Sequence, residues 1–143
     1  MKIKTNKLPK WDLSDLYKTI LDPQIDQDLK EANKKTENFD KKYRLRFSKK
    51  NISSVTLLQA IKNYEEILTL VSKPLHFANL LFSQDSKTQK NCAFLQKTKT
   101  SYVEISQKLF FFDLELSHLS IQKLSLLQKD KTLKDYSHFI KRI

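Results

Sequence analysis

The sequence contains no glycine, three prolines and a single cysteine among 143 residues. Glycine supplies the positive φ angles and the close backbone approach on which tight hairpin turns, β-bulges and phosphate-binding loops depend. The lack of glycine therefore argues against a β-sandwich, a β-barrel, a Rossmann unit or a P-loop. Long helices with short polar connections are the architecture that this composition favours.

Three further shortages bear on where the protein works. Cys92 has no second cysteine with which to form an intramolecular disulfide, which suits a reducing compartment. Residues 1–7 carry charge but no apolar core of the kind that a secretory signal needs. The longest strongly apolar run, residues 109–112, is far too short to cross a bilayer. We therefore expect a soluble, cytoplasmic protein without a membrane partner.

Arginine is also scarce, although the formal net charge is +11. Only Arg44, Arg46 and Arg142 could make the bidentate phosphate and base contacts for which arginine is best suited. A composition rich in lysine, asparagine and isoleucine also follows from the codon usage of an AT-rich genome. The sequence therefore argues against a nucleic-acid partner, and nucleic-acid binding stays as an alternative that rests on the basic arm. The lysines of that arm are Lys2, Lys4, Lys7 and Lys10.

The chain divides into a basic N-terminal arm, residues 1–10, and a helical body, residues 11–143. Four apolar side chains are predicted to hold the arm on the body: Trp11, Leu13, Leu16 and Tyr17. Asp12 and Ser14 are suitable caps for a short helix through Ile20. Asp22 and Pro23 then have the residue types preferred at the N-cap and first position of a long helix.

The apolar positions of this first long helix repeat every three or four residues: Ile25, Leu29, Ala32, Thr36, Phe39 and Tyr43. Its other face places each acid four residues before a base, as Asp26–Lys30, Glu31–Lys35, Glu37–Lys41 and Asp40–Arg44. Pairs with this orientation each stabilise a helix by about 0.2–0.5 kcal/mol. The lysines here are therefore interpreted as a solvated helix face.

A second helix is predicted to begin after Ser53 or Ser54, with Pro74 causing a kink or a break and Asp85-Ser86 ending it. Its expected inner face is Val55, Leu58, Ile61, Tyr64, Ile67, Leu68 and Val71, continuing as Leu75, Ala78, Leu81 and Phe82 after the proline. The connection before it is residues 47–52.

Thr88 is predicted to start the longest helix, which should form the centre of the lobe. Its expected stripe is Cys92, Leu95, Tyr102, Ile105, Leu109, Phe112, Leu116 and Leu119, with a gap at Thr98 and extra width from Phe110, Phe111 and Leu114. Two shorter elements follow, one with Ile121, Leu124 and Leu127 after Ser120, and one with Leu133, Tyr136, Phe139 and Ile140. The predicted fold is all-α, an elongated antiparallel bundle of about five to seven helices.

No complete catalytic or metal site is found in the sequence. The three histidines are His76, His118 and His138, and none has a second histidine at the spacing that a zinc-binding helix needs. Cys92 is expected to be a small buried residue rather than a nucleophile. The acidic pairs Glu65-Glu66 and Asp113/Glu115 are interpreted as solvated faces, and the run Phe110-Phe111-Phe112 as core. Catalytic and metal-binding residues are therefore not assigned, and substrate-binding residues stay unknown.

An ordered series of segments nevertheless resembles the N-terminal part of oligoendopeptidase F-like zinc metallopeptidases, which are related to thimet oligopeptidase. The series begins with Trp11-Asp12-Leu13-Ser14-Asp15-Leu16-Tyr17 and Asp22-Pro23. It continues with Tyr64-Glu65-Glu66-Ile67, Ser72-Lys73-Pro74-Leu75 and Ala78-Asn79-Leu80-Leu81-Phe82-Ser83. The last segments are Leu109-Phe110-Phe111-Phe112-Asp113-Leu114-Glu115-Leu116 and Asp135-Tyr136-Ser137-His138-Phe139-Ile140.

The resemblance implies a helical lobe that forms one wall of a peptide-binding cleft in an enzyme that hydrolyses oligopeptides. In that family the zinc-binding His-Glu-x-x-His helix lies in a longer C-terminal part, which these 143 residues do not contain. No zinc ligand and no catalytic residue can be assigned here on the strength of the resemblance. The expected partners are the catalytic domain and, through the complete enzyme, an oligopeptide. We expect the lobe alone to bind no zinc and to be inactive, and part of its apolar surface to be exposed. A helical scaffold that meets a partner helix is a further alternative.

Overall fold

The computed structural model describes residues 10–48 and 52–143, and within them the protein is all-α, as predicted. Of the predicted arm, only Lys10 falls inside the described residues. The elements are α1 (Pro23–Tyr43), α2 (Ser54–Gln84), α3 (Gln89–Ser117), α4 (Ile121–Lys129), a 3-10 helix (Lys131–Tyr136) and α5 (Ser137–Lys141). No strand occurs in these ranges, and none of their helices is both long enough and apolar enough to cross a membrane.

The three long helices pack antiparallel, each in contact with the other two, and the 3-10 helix packs on α2. Aromatic rings form the centre of the core where the three helices meet. The Phe112 ring centroid on α3 lies 5.2 Å from that of Phe39 on α1 and 5.3 Å from that of Tyr64 on α2. Phe47, which follows α1, also packs on Phe112 at 5.3 Å. This cluster fixes how the long helices sit against one another.

Helix α1 has the predicted start and the predicted buried face. The Asp22 side chain caps it by accepting from the backbone N–H of Gln24, and Pro23 occupies the first position. Its buried residues are Ile25, Asp28, Leu29, Ala32, Thr36, Phe39 and Tyr43, which adds Asp28 to the predicted stripe. The polar Thr36 is accommodated because its hydroxyl donates to the Ala32 carbonyl over 2.7 Å.

Two of the four predicted ion pairs on α1 are present, Glu31–Lys35 at 3.6 Å and Asp40–Arg44. The other basic contacts run between helices instead. Lys35 lies 2.8 Å from Glu66 of α2, and Asp26 lies 3.0 Å from Lys97 of α3 rather than pairing with Lys30. Packing brings these partners within reach, which a pattern within one helix cannot show.

The short helix predicted through Ile20 is wrong, since a turn covers residues 14–16 and no helix precedes α1 in the described residues. Side chains near the backbone explain the difference. Asp12 Oδ1 accepts from the Ser14 N–H at 3.0 Å, and Asp22 Oδ2 accepts from the Lys18 N–H at 2.9 Å. Such local bonds compete with the hydrogen bonds of a helix.

Of the kink or break predicted at Pro74, the break does not occur, because α2 continues without interruption through a buried Pro74. Proline leaves the carbonyl four residues earlier without its helical donor. Packing of Val71, Phe77 and Ala78 into the core on either side favours a continuous helix nonetheless. One consequence is that α2, with 31 residues, is longer than α3, with 29, although α3 was expected to be the longest.

The predicted inner faces of α2 and α3 need smaller corrections. Val55 is 67% exposed, and Leu57 and Ala60 lie on the inner face of α2 instead. The gap at Thr98 is a fully buried position, where the hydroxyl donates to the carbonyls of Phe94 and Leu95 in its own helix. The predicted caps Ser53 and Ser120 are confirmed, since each accepts from a backbone N–H in the first turn.

Candidate functional site

The only buried carboxylate in the described residues is that of Asp28, on the inner face of α1. It accepts from Tyr17 Oη at 2.5 Å and from Gln24 Nε2 at 2.7 Å, and Lys73 Nζ of α2 lies 3.9 Å away. Lys73 also lies over the Tyr17 ring, 4.6 Å from its centroid. The carboxylate thus has the donors and the positive charge that burial requires.

This cluster was not predicted from the sequence, although a signal was available. Asp28 follows Ile25 by three residues and therefore shares its helix face, where an acid needs partners. Gln24, four residues earlier on α1, follows from helix spacing. Tyr17 and Lys73 lie outside α1, and no spacing rule connects them to position 28. Burial is the main effect that raises the pKa of Tyr17. The hydrogen bond to Asp28 and the nearby negative charges raise it further. The Tyr17 hydroxyl therefore stays protonated and donates to Asp28, which connects residues 10–22 to the helical bundle.

A second polar group lies in an open cleft of about 430 Å³ between α2, α3 and the C-terminal elements. Tyr64 Oη donates to Asp113 Oδ2 at 3.2 Å there, and Arg142 lines the same cleft. Burial raises the pKa of Asp113, against the opposing effects of the Tyr64 hydrogen bond and the Arg142 charge. Burial also raises the pKa of Tyr64 to about 12, with smaller contributions from Asp113.

This cleft could hold a small polar ligand between a carboxyl group and a guanidinium group, but it does not contain a nucleophile paired with a base. The hydroxyl of Ser117 lines it and donates to the Leu114 carbonyl at 2.7 Å, within its own helix. A catalytic serine needs a base within hydrogen-bond reach to accept its proton. We therefore assign no catalytic role to Ser117.

The three histidines lie apart on the surface. His76 is on α2, His118 directly follows α3 and His138 is on α5, and all three are exposed. His118 Nδ1 lies 2.6 Å from the Leu114 carbonyl oxygen, which uses one ring nitrogen locally. Across residues 10–48 and 52–143, no three His, Cys, Asp or Glu side chains are grouped so that they could hold a metal ion.

Cys92 was predicted to be buried, and that prediction is wrong: the residue is exposed on the first turn of α3. Its Sγ lies 3.5 Å from the Ser86 carbonyl oxygen. The buried face of α3 begins just after Cys92, at Phe94 and Leu95. An exposed thiol without a neighbouring base has no assigned chemistry.

The acidic pairs behave differently from each other. Glu65 and Glu66 are both exposed, and Glu66 forms the ion pair with Lys35. Glu115 instead accepts from the backbone N–H groups of Leu45, at 2.6 Å, and Phe47, at 3.0 Å. It therefore fixes the chain where it leaves α1, a role that its spacing from Asp113 does not indicate.

The run of three phenylalanines is only partly core. Phe112 is fully buried and Phe111 is 8% exposed, but Phe110 is 60% exposed. Leu114, expected to widen the same stripe toward a neighbouring helix, is 48% exposed. The prediction of a core run is wrong for Phe110 because consecutive helical residues differ by about 100° in direction.

Comparison of the chain with protein-family models, with curated proteins and with solved structures gave no match.

Proposed function

We propose that this chain is the N-terminal helical lobe of an oligopeptide-hydrolysing zinc metallopeptidase of the oligoendopeptidase F type, and that it has no peptidase activity alone. The observation on which the proposal rests is the ordered series of family-like segments, which extends from Trp11 to Ile140. The alternative classes, a nucleic-acid-binding protein and a free-standing scaffold, explain the charge or the apolar stripes but not this order.

The positions of the family-like residues in the fold support the proposal. Tyr17, from the opening segment, is the buried donor to Asp28, and Asp22 caps α1. Pro74 is buried inside α2, and Phe112 lies at the centre of the aromatic cluster. The resemblance thus falls on residues that determine this helical packing, as expected if a fold is shared.

We assign no zinc ligand to this chain. The 143 residues contain no His-Glu-x-x-His motif, and the described ranges offer no group of three candidate ligands. We therefore assign no step of peptide hydrolysis to any residue here. The role of the lobe is to bound one side of a cleft, while a separate catalytic part would hold the metal that polarises the scissile carbonyl.

The experiment is complementation. A catalytic part carrying His-Glu-x-x-His, taken from an oligoendopeptidase F-like enzyme, is assayed with a quenched fluorescent oligopeptide and zinc, alone and with this chain. We expect neither part alone to cleave the peptide and the mixture, or a fusion through Ile143, to do so. A Glu→Gln change in the motif of the catalytic part should abolish that turnover, which excludes a contaminating peptidase.

Two results would contradict the proposal. Turnover by the purified, zinc-loaded chain alone would show that the lobe is not inactive. Failure of the fusion to cleave, while the same catalytic part fused to its own lobe does, would remove the assignment to this family. Sequencing the gene beyond the Ile143 codon is an independent check, since an in-frame His-Glu-x-x-His motif is expected there.

Nucleic-acid binding is a second candidate because of the net charge of +11. The contacts of Lys35, Arg44 and Lys97 with acids reduce the charge that these residues could offer to phosphates. Binding through phosphates would weaken steeply as salt is raised. Titration of labelled DNA and RNA at low salt tests this candidate, and no binding there would exclude it.

A further inference from the structure

The open cleft between α2, α3 and α5 contains two opposite charges that do not pair with each other. Asp113 of α3 and Arg142, which directly follows α5, line the same hollow of about 430 Å³. Within the described ranges, neither of them forms an ion pair with any other residue. The cleft therefore offers one negative and one positive group to a ligand that reaches both.

The electrostatics of the cleft indicate which charges such a ligand carries. Burial raises the pKa of Asp113, and Arg142 is the only charged group of the described residues that acts against this effect. A buried carboxylate gains from a nearby positive charge, which a ligand ammonium would supply. A purely anionic ligand would be repelled by Asp113, and a purely cationic ligand by Arg142. One negative and one positive group together favour a zwitterion.

Both charged side chains keep hydrogen-bonding capacity for a ligand. Tyr64 Oη donates to Asp113 Oδ2 at 3.2 Å, and no donor of the described residues reaches Asp113 Oδ1. The guanidinium group of Arg142 can donate to both oxygens of a carboxylate at once, because its N–H groups form a planar fork. An ammonium group at Asp113 and a carboxylate at Arg142 would therefore both be hydrogen-bonded.

The apolar lining of the cleft is part of the core of the protein. Leu68 and Phe139 line the cleft together with the Tyr64 ring. The centroid of the Phe112 ring lies 5.3 Å from that of Tyr64 and 6.5 Å from that of Phe139, so the aromatic cluster holds both rings in place. The guanidinium carbon of Arg142 lies 5.8 Å from the Phe139 ring centroid. An apolar side chain of a ligand would find a preformed surface here.

We propose that this cleft binds a small zwitterion with an apolar side chain, namely a free amino acid such as leucine or a dipeptide of such residues. Its ammonium group binds to Asp113, its carboxylate to Arg142, and its side chain packs on Leu68 and Phe139. The proposal does not rest on the peptidase assignment, because no step of peptide hydrolysis enters it. Failure of the complementation experiment would leave it intact, and the reverse also holds.

The test is a titration of the full chain, with binding followed through the amide signals in nuclear magnetic resonance spectra. The probes are L-leucine, the dipeptide Leu-Leu, N-acetyl-L-leucine and L-leucinamide. We expect leucine or Leu-Leu to shift the signals of residues that line the cleft. N-acetyl-leucine lacks the ammonium group and leucinamide lacks the carboxylate. Each should bind roughly tenfold more weakly or worse, since one charged group of the cleft loses its partner.

Two substitutions connect each half of the ligand to its residue. Asp113→Asn should weaken binding of the zwitterion roughly tenfold and remove the preference for a free ammonium group over the acetylated one. Arg142→Gln should weaken it similarly and remove the preference for the carboxylate over the amide. A loss of structure alone would not change these two preferences separately.

Asp15→Asn and Arg46→Gln are the matched controls, because both residues are exposed and neither lines the cleft. They should leave both affinities and preferences unchanged, and circular dichroism should show all four variants folded.

The relative affinities of the two zwitterions identify the source of the ligand. Tighter binding of leucine would assign the cleft to a free amino acid, and tighter binding of Leu-Leu would assign it to a dipeptide. Each result supports the proposal. No binding of either zwitterion, equal binding of the blocked and unblocked forms, or preferences that survive Asp113→Asn and Arg142→Gln would each overturn it.

Discussion

Tyr17 donates a hydrogen bond of 2.5 Å to the buried carboxylate of Asp28 and so joins the segment before α1 to α1 itself. The Tyr17 ring also packs edge-on against Phe77 of α2, with centroids 5.4 Å apart. One side chain thus contacts two helices, with its hydroxyl on a buried charge and its ring in the core. Loss of the hydroxyl alone would leave the packing and remove a donor from a buried acid.

We therefore expect Tyr17→Phe to lower the free energy of unfolding by about 1–3 kcal/mol, the cost of depriving a buried acceptor of its partner. Urea denaturation followed by circular dichroism measures the change. Tyr102→Phe is the matched control, since Tyr102 on α3 is half-buried and its hydroxyl makes no hydrogen bond within the described residues. Equal effects of the two substitutions would contradict a specific role for the Tyr17–Asp28 contact.

Alkaline pH should destabilise the protein through its tyrosines, above all Tyr17 and Tyr64. Burial raises the pKa of Tyr64 to about 12 and that of Tyr17 further, above the ordinary value of 10. The folded protein then holds these protons more tightly than the unfolded chain does. The stability that is present below pH 10 is therefore lost as the pH rises from 10 toward 12.

Ultraviolet titration of the phenolate signal checks this expectation. Tyr17 and Tyr64 should ionise late, together with the loss of the helical circular dichroism signal. Tyr17→Phe should remove part of the late phase. A single transition of all five tyrosines near pH 10, with the fold intact, would contradict the expectation.

The three consecutive phenylalanines of α3 should differ widely in their contribution to stability. Phe112 is fully buried against Phe39 and Phe47, so Phe112→Ala should cost about 3–5 kcal/mol. Phe110 is 60% exposed, and Phe110→Ala should change stability by no more than about 0.5 kcal/mol. Denaturation midpoints of the two variants give the comparison, and similar losses would mean that Phe110 is packed rather than exposed.

The sequence predicted those parts of the fold that depend on one helix at a time. The buried face of α1 follows from the spacing of Ile25, Leu29 and Phe39, and the start of α1 follows from Asp22 and Pro23. Capping chemistry and a period of 3.6 residues act locally, so a single segment carries the whole signal. The same reasoning found the C-terminal elements after Ser120.

Contacts between segments were not predictable in this way. Two partners of Asp28 come from outside α1, namely from residue 17 and from α2, and the partners of Glu115 are two backbone N–H groups that follow α1. Pro74 illustrates the converse case, because packing across helices outweighs a strong local preference for a break. Among the site residues, Cys92 and Phe110 are exposed although both were predicted to be buried. Which face of α3 is buried depends on how the helix packs against its neighbours, and the sequence of α3 alone does not show this.

Substitution of Leu45 should raise the free energy of unfolding, whereas the substitutions above lower it or leave it unchanged. The Leu45 φ of 62° lies in the left-handed region, which favours glycine. This sequence has no glycine, and leucine occupies the position instead. That conformation costs a residue with a Cβ about 1–2 kcal/mol, whereas glycine loses about 0.4–1 kcal/mol more chain entropy on folding. The Leu45 side chain is 65% exposed, and its N–H would still donate to Glu115.

Leu45→Gly should therefore raise the free energy of unfolding by roughly 0.5–1 kcal/mol, since relief of the backbone strain exceeds the added entropy cost. Leu21→Gly is the matched control, because Leu21 is also an exposed leucine, with 85% of its surface accessible. Its φ is negative, since Leu45 is the only one of the described residues with a positive φ. The control has only the entropy cost and should destabilise by up to about 1 kcal/mol. Thermal and urea denaturation of both variants measure the difference. Destabilisation of similar size in both would mean that Leu45 is not strained.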